Sequence, residues 1–217
     1  MNLLYYLSWS ASRFIFTTLF QRKAYHPERV PKSGPVIVAG NHASYFDPPL
    51  IGTGMSRDLF FLGRESLFRY RIVAWYLRQI QAVPVDRDGG GGAGLRAIME
   101  QLRLGHGIVL FPEGTRTRDG KLQPARSGIG MIVIKSGAPV VPVRVFGTYE
   151  AFGYHAKYPK LNPLAVKYGH PMNFEALRAE AKSCSKDRLK RIYQEIADQI
   201  MAAIGNLEPH WDVSTFP

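Results

Sequence analysis

"PVIVAGNHASYFDPP", residues 35–49, puts an apolar run, a short polar turn and a pair of prolines side by side. Pro35-Val36-Ile37-Val38-Ala39 has the β-branched content of a buried strand. Proline disfavours helical angles in the residue before it and fits well in the first turn of a helix. The stretch therefore predicts a strand over 36–39, a tight turn over 41–46, and a helix that Asp47 enters at Pro48. On an unbroken helix five residues turn through roughly 500°, which would set His42 and Asp47 on different faces. A turn instead folds them toward each other at the strand's carboxyl end. Taken alone, the pair has an ordinary reading beside the chemical one. An Asp before Pro is a common N-cap, and a His in a turn is often only solvated.

Working outward, apolar runs alternate with helical stretches. Strands are expected at 35–39, 58–62, 82–86, 107–111, 140–146 and 164–168, and helices at 48–56, 66–78, 94–104, 127–136 and 186–204. The last helix carries Leu189, Ile192, Tyr193, Ile196, Ile200 and Ile204 at helical spacing, with Ser185 as its N-cap. This alternation implies an α/β fold: a single domain, residues 24–217, with a largely parallel central sheet flanked by helices. Sites in such folds gather at the carboxyl ends of strands. There the chain delivers His42 and Asp47, then Gly63-Arg64-Glu65, then Arg87, then Pro112-Glu113-Gly114-Thr115-Arg116. One surface arginine is ordinary; these residue types at four strand ends point to a site.

Composition narrows the partners. The chain has 217 residues, 46% of them hydrophobic, and a net charge of +11. A basic surface suits nucleic acid, anionic lipid, or an acidic or phosphorylated substrate. No nucleic-acid-binding signature accompanies the charge, so no nucleic acid partner is expected. The single Cys184 rules out an internal disulfide and suits a reducing compartment. His106, His155, His170 and His210 lack ligand spacing, and no metal is proposed.

The first residues, "MNLLYYLSWSASRFIFTTLF", carry six aromatic side chains and one charge, Arg13. They lack the basic start and small-residue cleavage site of a secretory signal. Serines and threonines interrupt them, whereas a membrane span needs about 20 predominantly apolar residues. Leu4, Leu7, Ala11, Phe14 and Thr18 fall near one helical face, with Tyr5, Trp9, Phe16 and Phe20 elsewhere. Tyr and Trp favour the headgroup level, and Arg22 and Lys23 follow at once. Residues 1–23 are therefore expected to form an amphipathic helix lying on a membrane surface with anionic lipid. A helix packed on the domain and a true span are the alternatives.

With these motifs assembled, the chain resembles the glycerol-phosphate and lysophosphatidate acyltransferase family. "NHASYFDP" resembles its first block, "AVPVDR" the second, "FPEGTRTRDGKL" the third, and "APVVPVRVFGT" (138–148) the fourth, together covering residues 35–171. The Phe-Pro-Glu-Gly-Thr-Arg block is specific, whereas the His/Asp block alone is weak. The resemblance implies transfer of a fatty acyl group from an acyl thioester, acyl-CoA or acyl carrier protein, to a hydroxyl of lysophosphatidate, giving phosphatidate. It needs no further cofactor, and it implies work at the cytoplasmic face of the cell membrane as a peripheral or monotopic protein. His42 would then be the general base and Asp47 its orienting partner, a pairing that suits activation of an alcohol near neutral pH. Arg87 and Arg116, with Arg64 as a third, would hold the phosphate. Glu113, Gly114 and Thr115 complete the substrate-binding set. Glu113 would accept from a hydroxyl or hold an arginine, and backbone amides near Gly114 would face the thioester oxyanion. The chain departs from the pattern at Ala125-Arg126-Ser127-Gly128, where many relatives carry Phe-Lys before a glycine.

Other readings fit less well. "DGGGGAGLR" (88–96) lacks the Gly-Lys-Ser/Thr ending of a phosphate loop. No serine sits in the Gly-x-Ser-x-Gly elbow of a hydrolase. A thioesterase would use the same His/Asp pair with water, which needs no phosphate clamp. A non-catalytic lipid-binding protein would not need the pair intact.

Overall fold

A computed structural model describes residues 2–85 and 92–208. Seven strands form one sheet: β1 (Lys23–Tyr25), β2 (Val36–Gly40), β3 (Leu59–Arg64), β4 (Ala82–Val85), β5 (Gly107–Leu110), β6 (Val140–Phe146) and β7 (Ala165–Tyr168). Their spatial order is β1-β7-β6-β2-β5-β3-β4, and every pairing is parallel except β6 with β7. The expected α/β architecture is the one observed. β2 lies at the middle of the sheet, and its five residues are all buried. Successive side chains of a strand point to opposite faces. Ile37 and Ala39 accordingly join the core on one side of the sheet, and Val36 and Val38 the core on the other.

The first core lies under α4 (Gly92–Arg103), α5 (Gly128–Ser136) and α8 (Lys186–Gly205). The isoleucine stripe of α8 behaves as its spacing predicts: Ile192, Ile196, Ile200 and Ile204 are fully buried, and Ser185 Oγ accepts the Arg188 amide. Burying four such side chains is worth on the order of 10 kcal/mol before the entropy of ordering them is subtracted. The second core lies under α1 (Leu3–Leu19) and α2 (Asp47–Thr53).

α1 packs with the face that held Tyr5, Phe16 and the following Phe20, all buried, while Leu7 and Phe14 on the other face are exposed. Its polar groups also hold the domain: Trp9 Nε1 donates to Gly52 O at 3.1 Å, and the Leu59 amide donates to Tyr5 Oη at 3.1 Å. No helix among the described residues is long and apolar enough to cross a membrane.

Several short elements escaped the sequence. The helix expected at 66–78 is a 3-10 turn (Glu65–Arg69) followed by α3 (Arg71–Gln79). β1, α6 (Thr148–Phe152) and α7 (Glu175–Glu180) are three to six residues long, too short to display a period. Residues 86–91, which include Arg87 and all but the last glycine of the run at 89–92, lie outside the described residues, and the helix after them begins at Gly92.

Close approach of α5 to α8 depends on Gly130, where a Cβ would sit 2.0 Å from the Tyr193 carbonyl oxygen. Gly130→Ala must push two core helices apart. Overpacking of this kind typically costs about 1–3 kcal/mol, so the urea midpoint should fall clearly with little change in slope. An unchanged midpoint would mean that the α5–α8 contact yields without cost.

Candidate active site

The turn after β2 is built around one oxygen. Asp47 Oδ2 accepts from His42 Nδ1 at 2.8 Å, the Ala43 amide at 2.6 Å and the Ser44 amide at 2.7 Å. Asp47 is fully buried, and its Oδ1 is buried without a partner. The N-cap reading of this aspartate is overturned. The cap position is Phe46, which makes no side-chain cap bond, and Asp47 is already the first residue of α2. Pro48 and Pro49 supply the reason. A helix's first turn normally offers amide donors that need capping, and proline has none. The carboxylate is thereby left to close the turn behind it.

His42 is 8% exposed and stacks on Phe111, with ring centroids 4.0 Å apart and planes 14° from parallel. With Nδ1–H donating to Asp47, the neutral ring carries its lone pair on Nε2, the arrangement a general base requires. Neighbouring strands hold the turn in place. Asn41 exchanges two hydrogen bonds with the backbone of Val145 in β6, at 2.8 and 3.3 Å. Ser44 Oγ donates to Phe152 O at 2.7 Å. The His42 carbonyl accepts the Thr117 amide at 2.8 Å, which ties the loop after β5 to the same point.

That loop carries the Glu113-to-Arg116 run. Glu113 is 3% exposed, and the backbone at Gln123 and His42 hydrogen-bonds its carboxylate. It holds neither a hydroxyl nor an arginine among the described residues, contrary to the expectation, and its Oε2 is buried without a partner. Burial pushes its pKa up from 4.5 to about 7; the two backbone hydrogen bonds oppose the rise, and the Asp47 charge adds to it. Gly114 adopts φ +72°, and Arg126 covers it so closely that a Cβ would lie 3.0 Å from Arg126 Cδ. Its amide donates to Phe111 O at 3.0 Å, so Gly114 itself is not available to an oxyanion. Thr115 is exposed.

Arg116 has a setting that its sequence position did not announce. Its guanidinium carbon lies 3.6 Å from the ring centroid of Tyr45 and 5.1 Å from that of Tyr154, and its Nη1 is buried with no partner. Tyr45 belongs to the His42–Asp47 turn, so this arginine is brought to the same site. Tyr45 and Tyr154 were missed by the sequence reading. Tyr45 lies inside the quoted motif and could have been suspected there, but nothing local marks Tyr154.

The sheet order grades the remaining arginines. β5 adjoins β2, β3 lies one strand further, and β4 one further again. At about 4.8 Å between strands, Arg64 at the exposed end of β3 starts roughly 10 Å from the axis of β2. Arg87, after β4, lies outside the described residues.

The raised Glu113 pKa has a thermodynamic consequence. Between pH 4.5 and about 7 the folded protein keeps a proton that the unfolded chain has released, so stability falls as pH rises through that window. Glu113→Gln should remove this part of the slope, gaining on wild type in urea midpoint between about pH 5 and pH 8. Parallel pH profiles for the two proteins would show that Glu113 ionises as an ordinary carboxylate.

Comparison with known proteins fits this geometry. A family model described as acyltransferase matches residues 21–146. Over 125 residues the chain is 34% identical to the chloroplastic 1-acyl-sn-glycerol-3-phosphate acyltransferase BAT2 of Brassica napus, covering 56% of this chain and 36% of that protein. Over 126 residues it is 28% identical to the 1-acyl-sn-glycerol-3-phosphate acyltransferase of Bacillus subtilis, covering 58% and 62%. The crystal structure of the 1-acyl-sn-glycerophosphate (LPA) acyltransferase PlsC from Thermotoga maritima matches with a TM-score of 0.71 and 28% identity, covering 94% of this chain and 81% of that one. This chain spans less than two thirds of the length of either curated relative. The family match runs from β1 through β6 and takes in the His42–Asp47 turn, Arg64 and the Glu113-to-Arg116 loop; the chain belongs to the acyltransferase family.

Proposed function

We propose that this chain transfers a fatty acyl group from an acyl thioester to the free hydroxyl of lysophosphatidate, giving phosphatidate. The observation that carries the reading is the buried His42–Asp47 pair next to an arginine whose Nη1 is buried and unpartnered. The relatives' names, 1-acyl-sn-glycerol-3-phosphate acyltransferases, support the same substrate class.

In this mechanism His42 Nε2 takes the proton of the acceptor hydroxyl as the oxygen attacks the thioester carbonyl. Asp47 holds the tautomer through Nδ1–H and stabilises the imidazolium that forms. Collapse of the tetrahedral intermediate breaks the carbon–sulfur bond, and the imidazolium returns the proton to the leaving thiolate. Arg116 meets the acceptor phosphate through its planar fork, pre-set by the two tyrosine rings. Arg64 stands one strand further out, where it would serve the more distant part of a charged substrate, and Arg87 keeps the phosphate-holding role that the family resemblance implies. The donor, acyl-CoA or acyl carrier protein, is a co-substrate, and the chemistry calls for no other cofactor. The protein would work at the cytoplasmic face of the cell membrane, bound to its surface.

The base assignment is tested by His42→Ala and Asp47→Asn, assayed with acyl thioester in the presence and absence of lysophosphatidate. Turnover should fall on the order of 10²–10⁴-fold for the first variant and sharply for the second, with melting temperature reported alongside. A near-normal His42→Ala rate would sink the mechanism, and thioester cleavage that ignores the acceptor would make the protein a thioesterase.

The phosphate assignment makes a separate demand. Arg116→Ala should raise KM for lysophosphatidate about tenfold or more while leaving donor KM nearly unchanged, and lysine should rescue it only in part. Tyr45→Ala should raise the same KM less, and Tyr45→Phe hardly at all, because an attractive ring face remains. Unaltered acceptor dependence in Arg116→Ala would move the phosphate elsewhere.

A further inference from the structure

α3 is an element whose amphipathic pattern the core leaves unused. Its sequence, Arg71-Ile-Val-Ala-Trp-Tyr-Leu-Arg-Gln79, places only Ala74 in a buried position. Ile72 is 83% exposed and Trp75 57%, and Tyr70 just before the helix is 72% exposed. Isolated helices below about 12–15 residues are marginal in water, so a nine-residue helix with its apolar residues outside gains little from its own hydrogen bonds. Single exposed apolar residues are commonplace, but a run of large ones concentrated on one short element marks an interaction surface.

The charges around this surface name the partner. Arg69, Arg71 and Arg78 are exposed beside it, and no acidic residue occurs between Ser66 and Val85. α1 has the same character, with no acidic residue from Asn2 to Pro27 and with Leu3, Tyr6 and Leu7 exposed. The two helices are joined: Asn2 Nδ2 donates to Gln79 O at 2.9 Å, and Tyr76 Oη donates to Ser8 Oγ at 3.2 Å. Aromatic and aliphatic side chains flanked by arginines, without carboxylates, have the composition of a surface that enters the headgroup layer of an anionic bilayer. The site is connected to it as well, since Arg64 ends β3 and directly precedes the 3-10 turn that leads into α3.

We infer that the exposed face of α3, joined to α1, docks the protein on an anionic lipid bilayer. This deepens the proposed activity, on which it rests only for the lipid nature of the acceptor. α3 thus supplies a second foot besides the N-terminal helix. The arginines provide long-range attraction, and Ile72 and Trp75 provide insertion that salt does not screen.

The test uses the full chain with vesicles of phosphatidylcholine plus phosphatidylglycerol, and with vesicles of phosphatidylcholine alone. The Ile72→Glu/Trp75→Glu variant should bind the anionic vesicles about tenfold or more weakly than wild type, with an unchanged melting temperature. Arg69→Gln/Arg71→Gln/Arg78→Gln should lose most of the preference for anionic over neutral vesicles. Turnover on a short-chain, water-dispersed acceptor should stay at the wild-type level in both variants, which separates failed docking from failed chemistry. Vesicle binding within twofold of wild type in the glutamate variant would overturn the inference. So would a wild-type dimer in solution that the glutamates dissociate, because the face would then join two copies of the chain.

Discussion

One carboxylate oxygen, Asp47 Oδ2, organises the candidate site of this molecule. It collects the His42 ring and two consecutive backbone amides around a carboxylate that is itself fully buried. A buried carboxylate is tolerated only where donors satisfy it, so the ring and the turn stand or fall with the same group. The two prolines after it matter for the same reason. By offering no amides at the head of α2 they leave the carboxylate facing backward, and the imidazole is aligned by the backbone fold as much as by its own contacts.

The sheet then decides what reaches that ring. Because β5 lies directly beside β2, its loop supplies both the lid of the His42 ring, Phe111, and the Arg116 guanidinium. Glu113 occupies the ground between them, raised to about 7 by burial and linked to the backbone at His42. Below about pH 7 a protonated carboxyl at this point spares the turn a second negative charge next to Asp47. Among the described residues Arg116 is held by π faces and not by a carboxylate, and one of its nitrogens is unpaired. An arginine already neutralised by an acid would have less to offer a phosphate.

The arrangement would let one short domain combine the proposed chemistry with the proposed docking on lipid. α1 is bound to the second core through Phe16 and Phe20, and at its other end it meets α3. Apolar surface that would weaken a freely soluble domain is concentrated on these two helices. The rest of the exposed surface carries much of the +11 charge. The apolar and basic surfaces are thus arranged side by side, as attachment to an anionic interface requires.

Much of this was written in local pattern. The alternation of β-branched runs with helical stretches determined an α/β domain with a largely parallel sheet, because burial on both faces demands continuous apolar strands. The spacing of His42 and Asp47 around a proline-led helix determined that they would meet, and the isoleucine stripe of α8 was legible from Ile192 to Ile204. Tertiary structure alone decided the rest. Strand order, which comes from crossovers and not from any single segment, brought Arg116 to the site and left Arg64 one strand further out. Tyr154 joins the site from over a hundred residues beyond Tyr45, a pairing no window of sequence can contain. The Glu113 pKa depends on water excluded by the assembled loops, and the packed face of α1 depends on the shape of α2. Those are properties of a surface that exists only once the chain has folded.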